Sequence, residues 1–329
     1  MDAHTVIAAD VGGTKTLLQQ AEFVPRAARA RRVLHEALYP SADYPDILPL
    51  LEDFLHKAPA PAAALCLAVA GPIRGAFPAQ SAQLTNLPWR LDAQTLGARL
   101  GVPVRLLNDF AAVGHGLDAL QLEDLATLHA GQADPAAPRL ALGAGTGLGV
   151  TLVAPCAEDA RVLPSEGGHM DFAGGSALQD GLLGFLRAEF GHVSWERVVS
   201  GPGIVNIYRY LLAHHGADDA EGLLAAADPP AAIAASSAAT AQETMAQFSE
   251  LYGAIAGNLA LTTLPRGGIY LAGGIAAKNL PRLRQGGFVH GYLHKGRLRD
   301  VLESIPIHVI TNPQVGLLGA LRVANQTLS

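Results

Sequence analysis

Two glycine-rich stretches of the sequence have the composition of phosphate-binding turns. Residues 10–14 read Asp-Val-Gly-Gly-Thr, and residues 143–149 read Gly-Ala-Gly-Thr-Gly-Leu-Gly. Such turns expose successive backbone N–H groups, the threonines add hydroxyl donors, and Asp10 can hold Mg²⁺ directly or through water. Neither stretch has the Walker A pattern or the spacing of a dinucleotide-binding loop. We predict that the phosphate ligands are Gly12, Gly13, Thr14, Gly145, Thr146 and Gly147.

Two further groups of residues stand where ligands bind in α/β proteins. The apolar run 104–107 delivers Asn108 and Asp109 at its end, and ligand groups in open α/β sheets lie beyond the carboxyl ends of strands. Asp109 also precedes an apolar segment, so it could simply be a helix N-cap. In residues 267–275 a strand separates two glycine pairs, and a flat base or ribose could lie against Gly273 and Gly274.

Short apolar runs must position these groups. Residues 5–9 precede the first glycine stretch, while residues 139–142 and 150–153 flank the second. These runs are typical of buried strands. The two strand-and-turn units lie about 130 residues apart, and this weak repeat predicts two related halves that each offer a turn to one ligand.

Helices are predicted mainly in the second half of the chain. One begins at Pro202 and stops near Gly216, and another runs from Thr244 to about Thr263. The second helix has a core stripe at three- and four-residue spacing, formed by Met245, Phe248, Tyr252, Ile255 and Leu259. Residues 211–243 are rich in alanine, which favours peripheral helices there rather than a linker.

Composition excludes several classes of protein. Lys and Arg number 23 against 29 Asp and Glu, so the net charge of −6 argues against nucleic-acid binding through bulk positive charge. Half of the residues are hydrophobic, which supplies one large core or two ordinary ones. Cys66 and Cys156 lie far apart and predict neither a disulfide framework nor a cysteine-based zinc site. No leader or membrane span is evident, so we expect a soluble, cytoplasmic protein with no membrane partner.

The glycine stretches, together with residues 107–110, 164–172 and 196–203, resemble the motifs of the bacterial glucokinase family. The resemblance extends from Asp10 to a terminal helix around residues 316–319. It implies the two-domain α/β fold of actin/hexokinase-like (ribonuclease H-like) ATPases, with a ligand cleft between a small and a large domain. The small domain would comprise residues 1–118 and about 312–329, and the large one residues 119–311.

The same resemblance implies the activity and its requirements. Family members phosphorylate glucose at its 6-hydroxyl with ATP as co-substrate and Mg²⁺ as cofactor, without zinc, and they close two domains over the sugar. The expected partners are therefore glucose and ATP, and a second copy of the chain in a homodimer. A kinase for mannose, fructose or glucosamine is the alternative within this class, and a non-catalytic nucleotide- or sugar-binding sensor is the alternative outside it.

Individual positions match the residues of the family's site. Asp109 matches the catalytic base, a carboxylate that takes the hydroxyl proton as the oxygen attacks the γ-phosphorus. Sugar ligands are matched by Asn108, Glu166, His169 and Glu196, and Asn86 resembles a position near the sugar. Ionised carboxylates accept hydrogen bonds from neighbouring hydroxyls, while amide and imidazole groups donate as well. Alternatively, Glu166 and His169 form a structural turn, and Glu196 occupies the first turn of a helix.

Two positions depart from the family pattern. Lys15 stands where asparagine is expected, and Ser165 stands where glycine is expected. Lys15 could neutralise phosphate charge or point to solvent, and lysine at this place is familiar in the related repressor, open-reading-frame and kinase family. That family's zinc site needs a cysteine-rich motif that is missing from this sequence. The sequence also has no room before Thr5 for a DNA-binding helix-turn-helix, so a repressor is disfavoured.

Overall fold

The computed structural model describes residues 3–156 and 160–328, and the chain divides into two compact units. Unit 1 comprises Met1–Leu122 and Asn312–Ser329, and unit 2 comprises Glu123–Thr311. The sequence analysis places the first boundary after residue 118. The segment that follows, up to Leu122, also lies in unit 1, where a guanidinium nitrogen of Arg29 donates to the carbonyl of Leu120.

Unit 1 contains a mixed five-stranded sheet of order β3-β2-β1-β4-β8. Strands β1, β4 and β8 are parallel, and β2 forms antiparallel pairs with β1 and β3. A small antiparallel sheet β5-β6-β7 lies in the same unit. The elements are β1 His4–Val11, β2 Lys15–Phe23, β3 Arg32–Pro40, α1 Ile47–Lys57, β4 Ala64–Val69, β5 Ile73–Arg74, β6 Ser81–Gln83, β7 Arg90–Asp92, α2 Ala93–Leu100, β8 Val104–Asn108 and α3 Asp109–Gly116.

Unit 2 contains a six-stranded sheet of order β12-β11-β10-β13-β14-β9, with helices packed around it. Its strands are β9 Leu125–His129, β10 Arg139–Ala144, β11 Leu148–Ala154, β12 Arg161–Ser165, β13 Ile269–Ala272 and β14 Ile307–Ile310. Its helices are α4 Ala177–Phe190, α5 Gly201–His215, α6 Pro229–Ala235, α7 Ala239–Thr263, α8 Gly274–Lys278, α9 Leu280–Leu283, α10 Gly287–Leu293 and α11 Arg299–Glu303. The chain then returns to unit 1 as α12, Val315–Gln326.

The repeat predicted from the glycine stretches is confirmed by the topology of the two sheets. In unit 1 the hairpin β1–β2 is extended by antiparallel β3 on one side and by parallel β4 and β8 on the other. In unit 2 the hairpin β10–β11 is extended by antiparallel β12 and by parallel β13 and β14 in the same order. Each glycine turn therefore occupies the equivalent position in its unit.

The predicted helices are confirmed, with one shifted start. The side chain of Ser200 caps α5, Pro202 lies in its first turn, and Gly216 ends it in the left-handed conformation. Helix α7 begins at Ala239, earlier than the expected Thr244, and its whole predicted stripe is buried. Within residues 211–243, the proline pair begins α6 instead of forming a linker, because proline is favoured in the first turn of a helix.

Helix α12 packs closely on α3, the helix that begins with Asp109. A Cβ added at Gly319 would lie 1.8 Å from the carbonyl oxygen of Ala112, and one added at Gly116 would lie 2.1 Å from the carbonyl oxygen of Val315. Only glycine permits two helix backbones to approach so closely. The position of α3 therefore depends on α12. No helix within residues 3–156 and 160–328 has the length and apolarity needed to cross a membrane.

Candidate active site

The turn Gly12–Thr14, predicted to bind phosphate and named the first phosphate turn for that prediction, joins β1 to β2 in unit 1. The N–H of Gly12 donates to the carbonyl of Lys15 at 3.0 Å and closes the hairpin. Asp10 is the penultimate residue of β1 and pairs with Leu17, so it lies in the sheet rather than in the turn. Thr14 is exposed while Gly12 and Gly13 are half-buried. The backbone N–H groups of this turn are thus held at the carboxyl end of a buried strand, as predicted.

Ser41, which directly follows β3, stabilises the first phosphate turn, a role that the sequence analysis missed. Its hydroxyl donates to the carbonyl of Gly12 at 2.8 Å, and its N–H donates to the carbonyl of Thr14 at 3.0 Å. The hydroxyl of Thr16 lies 3.0 Å from the same Oγ atom. Ser41 is fully buried, so these bonds fix both ends of the turn without competition from water.

Asp109 and Asn108 lie at the edge of the sheet where the parallel strands of unit 1 end. Asn108 pairs with Val69, which in turn pairs with Val11 beside Asp10. Asp109 is exposed, and its Oδ1 accepts a hydrogen bond from the N–H of Phe110 at 2.8 Å. The carboxylate is therefore accessible at the expected edge of the sheet.

The alternative that Asp109 caps the helix is wrong, because the N-cap of α3 is Asn108. Its Oδ1 accepts from the N–H groups of Phe110 and Ala111 at 2.9 and 3.1 Å, and its Nδ2 donates to the carbonyl of Gly71 at 3.3 Å. Asn108, expected as a sugar ligand, thus also fixes the helix that presents Asp109. The amide of Asn108 has a second N–H donor in addition to the one that bonds to Gly71.

Asp10 has the electrostatic surroundings of a cation ligand. Burial raises the pKa of Asp10 above its ordinary value, and the nearby Asp109 carboxylate raises it further. Two neighbouring carboxylates repel each other in their ionised forms, and a divalent cation relieves that repulsion. Mg²⁺ is commonly bound by one or two carboxylates together with substrate phosphates and water. Asp10 therefore fits the role expected of it.

A closed protein cage for a metal is not found among the described residues. Within residues 3–156 and 160–328, no three His, Cys, Asp or Glu side chains are grouped to hold an ion. Cys66 is fully buried, and burial raises the pKa of its thiol to about 12. That thiol therefore stays protonated at neutral pH and is a poor nucleophile or metal ligand.

Asn86 lies against the first phosphate turn. A Cβ added at Gly13 would be 2.7 Å from the Cβ of Asn86, so the two residues are in close contact. Its side chain is exposed beside the turn, and this contact with a phosphate turn was not anticipated from the sequence. Lys15, the departure from the family pattern, is exposed at the start of β2.

The other turn predicted to bind phosphate, named the second phosphate turn, is Gly145–Gly147; it joins β10 to β11 in unit 2 and is shorter than the predicted stretch 143–149. Gly143 pairs with Gly149, and Ala144 pairs with Leu148, so the flanking glycines belong to the strands. The N–H of Gly145 donates to the carbonyl of Gly147 at 2.8 Å and closes the turn. The side chain of Thr146, at its tip, is exposed.

Two neighbours fix the end of β10 beside this turn. Tyr252 donates its hydroxyl proton to the carbonyl of Leu142 at 3.3 Å and accepts from the N–H of Ala144 at 3.2 Å. Gly273 has φ of +86°, and a Cβ there would be 2.8 Å from the carbonyl oxygen of Ala144. Gly274, the next residue, begins α8 and is open to solvent. The third glycine cluster thus adjoins the second phosphate turn.

Glu166 and His169 lie on a tight turn packed against the start of β11. Both side chains are exposed, and residues 167–169 form a short 3-10 helix in which the N–H of His169 donates to the carbonyl of Glu166. Ser165 accepts from the N–H of Gly167 at 3.0 Å, so the residue that departs from the family pattern stabilises this turn. The turn is therefore held by hydrogen bonds of its own, while both side chains remain accessible.

Glu196 belongs to a short 3-10 helix, Trp195–Arg197, and its carboxylate contacts the second phosphate turn. The N–H of Leu148 donates to Glu196 Oε2 at 2.9 Å. The segment also joins the turn that carries Glu166, since the N–H of Trp195 donates to the carbonyl of Met170 at 2.9 Å. The segment of Glu196 therefore contacts both the second phosphate turn and the segment that carries Glu166 and His169.

Comparisons with known proteins agree over nearly the whole chain. The glucokinase family model matches residues 7–327. A glucokinase of Nostoc punctiforme is 42% identical over 338 aligned positions, covering 96% of this chain and 97% of that protein. The crystal structure of a glucokinase from an Antarctic psychrotroph has a TM-score of 0.84 and 30% identity, covering 98% of this chain and 99% of the other.

A more distant structure shares the fold. A ROK family glucokinase from Streptomyces griseus, solved with glucose and AMPPNP, has a TM-score of 0.64 and 20% identity, covering 98% of this chain and 99% of that one. The expected hexokinase-like, actin-like ATPase fold is therefore confirmed. With a family model spanning the chain and relatives above 40% identity, the chain belongs to the glucokinase family.

Proposed function

We propose that this chain transfers the γ-phosphoryl group of ATP to the 6-hydroxyl of glucose, with Asp109 as the general base. The observation that carries the proposal is the exposed Asp109 carboxylate at the first position of α3, beside Asp10, in a chain of the glucokinase family. A general base must reach the hydroxyl that it deprotonates, and a carboxylate at a helix start is both accessible and fixed by its backbone.

In the proposed reaction Asp109 accepts the hydroxyl proton as the sugar oxygen attacks the γ-phosphorus. The new oxygen–phosphorus bond forms while the bond to the bridging oxygen of ADP breaks, and ADP leaves with that electron pair. Asp109 then releases its proton to solvent. Because phosphoryl transfer depends chiefly on positioning and charge stabilisation, the protein needs no covalent intermediate.

The phosphates of ATP would bind the N–H groups of the first and second phosphate turns. Two buried residues support this assignment, since Ser41 holds the first turn and Tyr252 holds the end of β10 beside the second turn. The adenosine would lie near Gly273 and Gly274. Mg²⁺ bound with ATP would neutralise phosphate charge, and Asp10 would hold it through water.

The sugar hydroxyls would bind Asn108, Glu166, His169 and Glu196, with Asn86 nearby. The carboxylates accept hydrogen bonds, and the imidazole and the remaining amide N–H donate or accept according to the hydroxyl they face. Such a set discriminates between sugars, because a misplaced hydroxyl leaves a polar group without its partner. Glucose is proposed from the family; mannose, fructose and glucosamine are the competing acceptors.

We also propose that units 1 and 2 act as the family's small and large domains and close on sugar binding. Closure would exclude water, so that the phosphoryl group passes to sugar and not to solvent. Glucose should then reduce the radius of gyration in small-angle scattering, and an unchanged value would contradict closure.

The family resemblance supports a homodimer, and sedimentation velocity tests that oligomeric state. The free cysteines support a location in the reducing environment of the cytoplasm.

The first experiment is ADP release with Mg²⁺-ATP across glucose, mannose, fructose, glucosamine and N-acetylglucosamine, beside a blank without sugar. The highest kcat/KM is expected for glucose. A different preferred sugar would leave the phosphoryl-transfer chemistry in place and change the acceptor. The absence of turnover with every sugar would favour the alternative function, a non-catalytic nucleotide- or sugar-binding sensor.

Variants of Asp109 test the base. Asp109→Asn keeps the size of the side chain and removes its basicity, so kcat should fall by about 10²- to 10⁴-fold while glucose binding by calorimetry persists. Asp53→Asn is the control, a half-buried carboxylate on α1 paired with Lys57. Near-normal kcat in Asp109→Asn would remove Asp109 from the base role.

A further inference from the structure

The carboxylate of Glu196 is built into the second phosphate turn. Its Oε2 accepts the N–H of Leu148 at 2.9 Å. A Cβ added at Gly147 would lie only 2.5 Å from that same oxygen. Glu196 is half-buried there, so the carboxylate lies directly against the turn.

The segment that carries Glu196 also holds the other end of the turn. The N–H of Gly201 donates to the carbonyl of Gly145 at 2.8 Å. Between these two attachments, the hydroxyl of Ser200 donates to the carbonyl of Glu196 at 2.7 Å and accepts from the N–H of Gly203 at 3.0 Å. Residues 196–201 therefore form a fixed strap, hydrogen-bonded at both ends of the second phosphate turn.

Leu148 is held from its other side as well. A Cβ added at Gly168 would be 2.1 Å from the carbonyl oxygen of Leu148, so the turn that carries Glu166 and His169 packs directly on this peptide. Leu148 is thus flanked by the two segments of unit 2 that present proposed sugar ligands. Only the segment of Glu196 bonds to it through a carboxylate side chain.

The geometry points to Glu196 as a positioning residue that couples sugar binding to the phosphate turn within unit 2. This inference rests on the proposed function and deepens it. One carboxylate oxygen would hold the N–H of Leu148 while the other accepts a sugar hydroxyl. Occupancy by sugar would thereby set the position of the turn that binds ATP.

A physical route for the coupling follows from the freedom of the side chain. The terminal torsion of a glutamate is broad, so a carboxylate bonded only at Oε2 can rock about that bond. A sugar hydroxyl on Oε1 would fix the orientation of both oxygens and with them the N–H of Leu148. Coupling of binding free energies is reciprocal, so nucleotide must strengthen sugar binding by the same factor that sugar strengthens nucleotide binding.

Glycine variants of the turn separate this coupling from mere loop rigidity. Gly147→Ala places its methyl group against Glu196 Oε2 and displaces the carboxylate, whereas Gly145→Ala meets nothing within 4 Å. Both variants add one methyl group to the same turn. The measurement is calorimetric affinity for Mg²⁺-AMPPNP without sugar and with saturating glucose. In the wild type, the affinity with glucose should exceed the affinity without sugar by a ratio of about fivefold or more. It should fall below about twofold in Gly147→Ala and persist in Gly145→Ala.

A second pair of variants needs no sugar. Glu196→Ala should weaken Mg²⁺-AMPPNP binding several-fold in the absence of sugar, while Glu166→Ala, which lacks a side-chain bond to the turn, should not. Equal nucleotide affinities in this pair would overturn the inference, as would an unchanged coupling ratio in Gly147→Ala. A wild-type protein that phosphorylates glucose but shows a ratio near one would also overturn it. Failure to phosphorylate glucose at all would instead refute the proposed function.

Discussion

Replacing Gly319 by alanine tests whether α12 sets the position of the proposed base. The added Cβ would stand 1.8 Å from the carbonyl oxygen of Ala112 and 2.7 Å from the nitrogen of Gly116, well inside the 3.4 Å at which ordinary contact begins. Both obstacles are backbone atoms of α3, which cannot rotate away, so the two helices must separate. Overpacking of this kind costs about 1–3 kcal/mol, and we expect about 3 kcal/mol because no side chain can yield.

Gly316→Ala is the matched control, since it makes the same change three residues earlier on α12. Its nearest atoms are the carbonyl oxygen of Asp109 and a methyl group of Val113, both at 3.9 Å, so the Cβ fits. Alanine also favours a helix over glycine, and at the second residue of α12 the gain is smaller than the roughly 0.5–1 kcal/mol of a helix interior. This variant should therefore be as stable as the wild type or slightly more stable.

Thermal unfolding followed by tryptophan fluorescence can assign the loss to one unit. The chain has two tryptophans, Trp89 in unit 1 and Trp195 in unit 2. In a Trp195→Phe background the signal comes from unit 1 alone. A loss of about 3 kcal/mol should lower its Tm by roughly 6–12 °C in Gly319→Ala. Displacement of α3 should also lower kcat, by up to about 10²-fold for a shift near 1 Å. Equal Tm values for the two alanine variants would refute the close packing of α12 on α3.

Three other predictions concern unit 1. Asn108→Ala should cost about 1–2 kcal/mol in urea unfolding and lower kcat, whereas Asn108→Asp, which keeps an oxygen for the helix cap, should recover most of the stability. Asp10→Asn should abolish activity yet raise the Tm of the ligand-free protein at neutral pH. Because folding raises the pKa of Asp10, ionisation of this carboxyl group opposes folding. The Tm difference between the variant and the wild type should therefore grow as pH rises above about 4 and vanish below it. Burial, with smaller contributions from Arg322 and Arg105, lowers the pKa of His115 to about 4. Folding stability should therefore fall as pH drops from 6.5 to 4, because the unfolded chain binds a proton that the folded chain does not. His115→Gln should flatten that part of a curve of Tm against pH, and an unchanged slope would contradict the prediction.

Local sequence patterns predicted the strands, the turns and the long helices because each depends on neighbours in the chain. The apolar runs before the glycine stretches became β1 and β10, and the helical stripe of α7 is buried. The predicted second stretch was too long, because Gly143 and Gly149 continue the strand ladder despite lacking side chains. A glycine therefore indicates where a turn can form without fixing where the strands end.

Contacts between distant segments could not be predicted in the same way. Ser41 reaches the first phosphate turn because it directly follows β3, whose register places Pro40 opposite Lys15, and no spacing in the sequence reveals that register. Tyr252 has the spacing of an ordinary core residue, and its hydroxyl bonds to β10 follow only from how α7 lies on the sheet. Asn108 shows a further limit, since its type fits a helix cap and a sugar ligand equally well.

The interruption of unit 1 by unit 2 has a consequence for the order of events during synthesis. Residues 123–311 emerge from the ribosome between the body of unit 1 and α12. Until α12 arrives, the face that it covers, which includes Val6, Ala8, Ala64 and Ala112, lacks its partner. At about 5–20 residues per second the intervening unit, of about 190 residues, takes roughly 10–40 s to make. The nascent chain thus exposes an apolar surface for that time, and the helix bearing Asp109 is secured only after unit 2 has been translated.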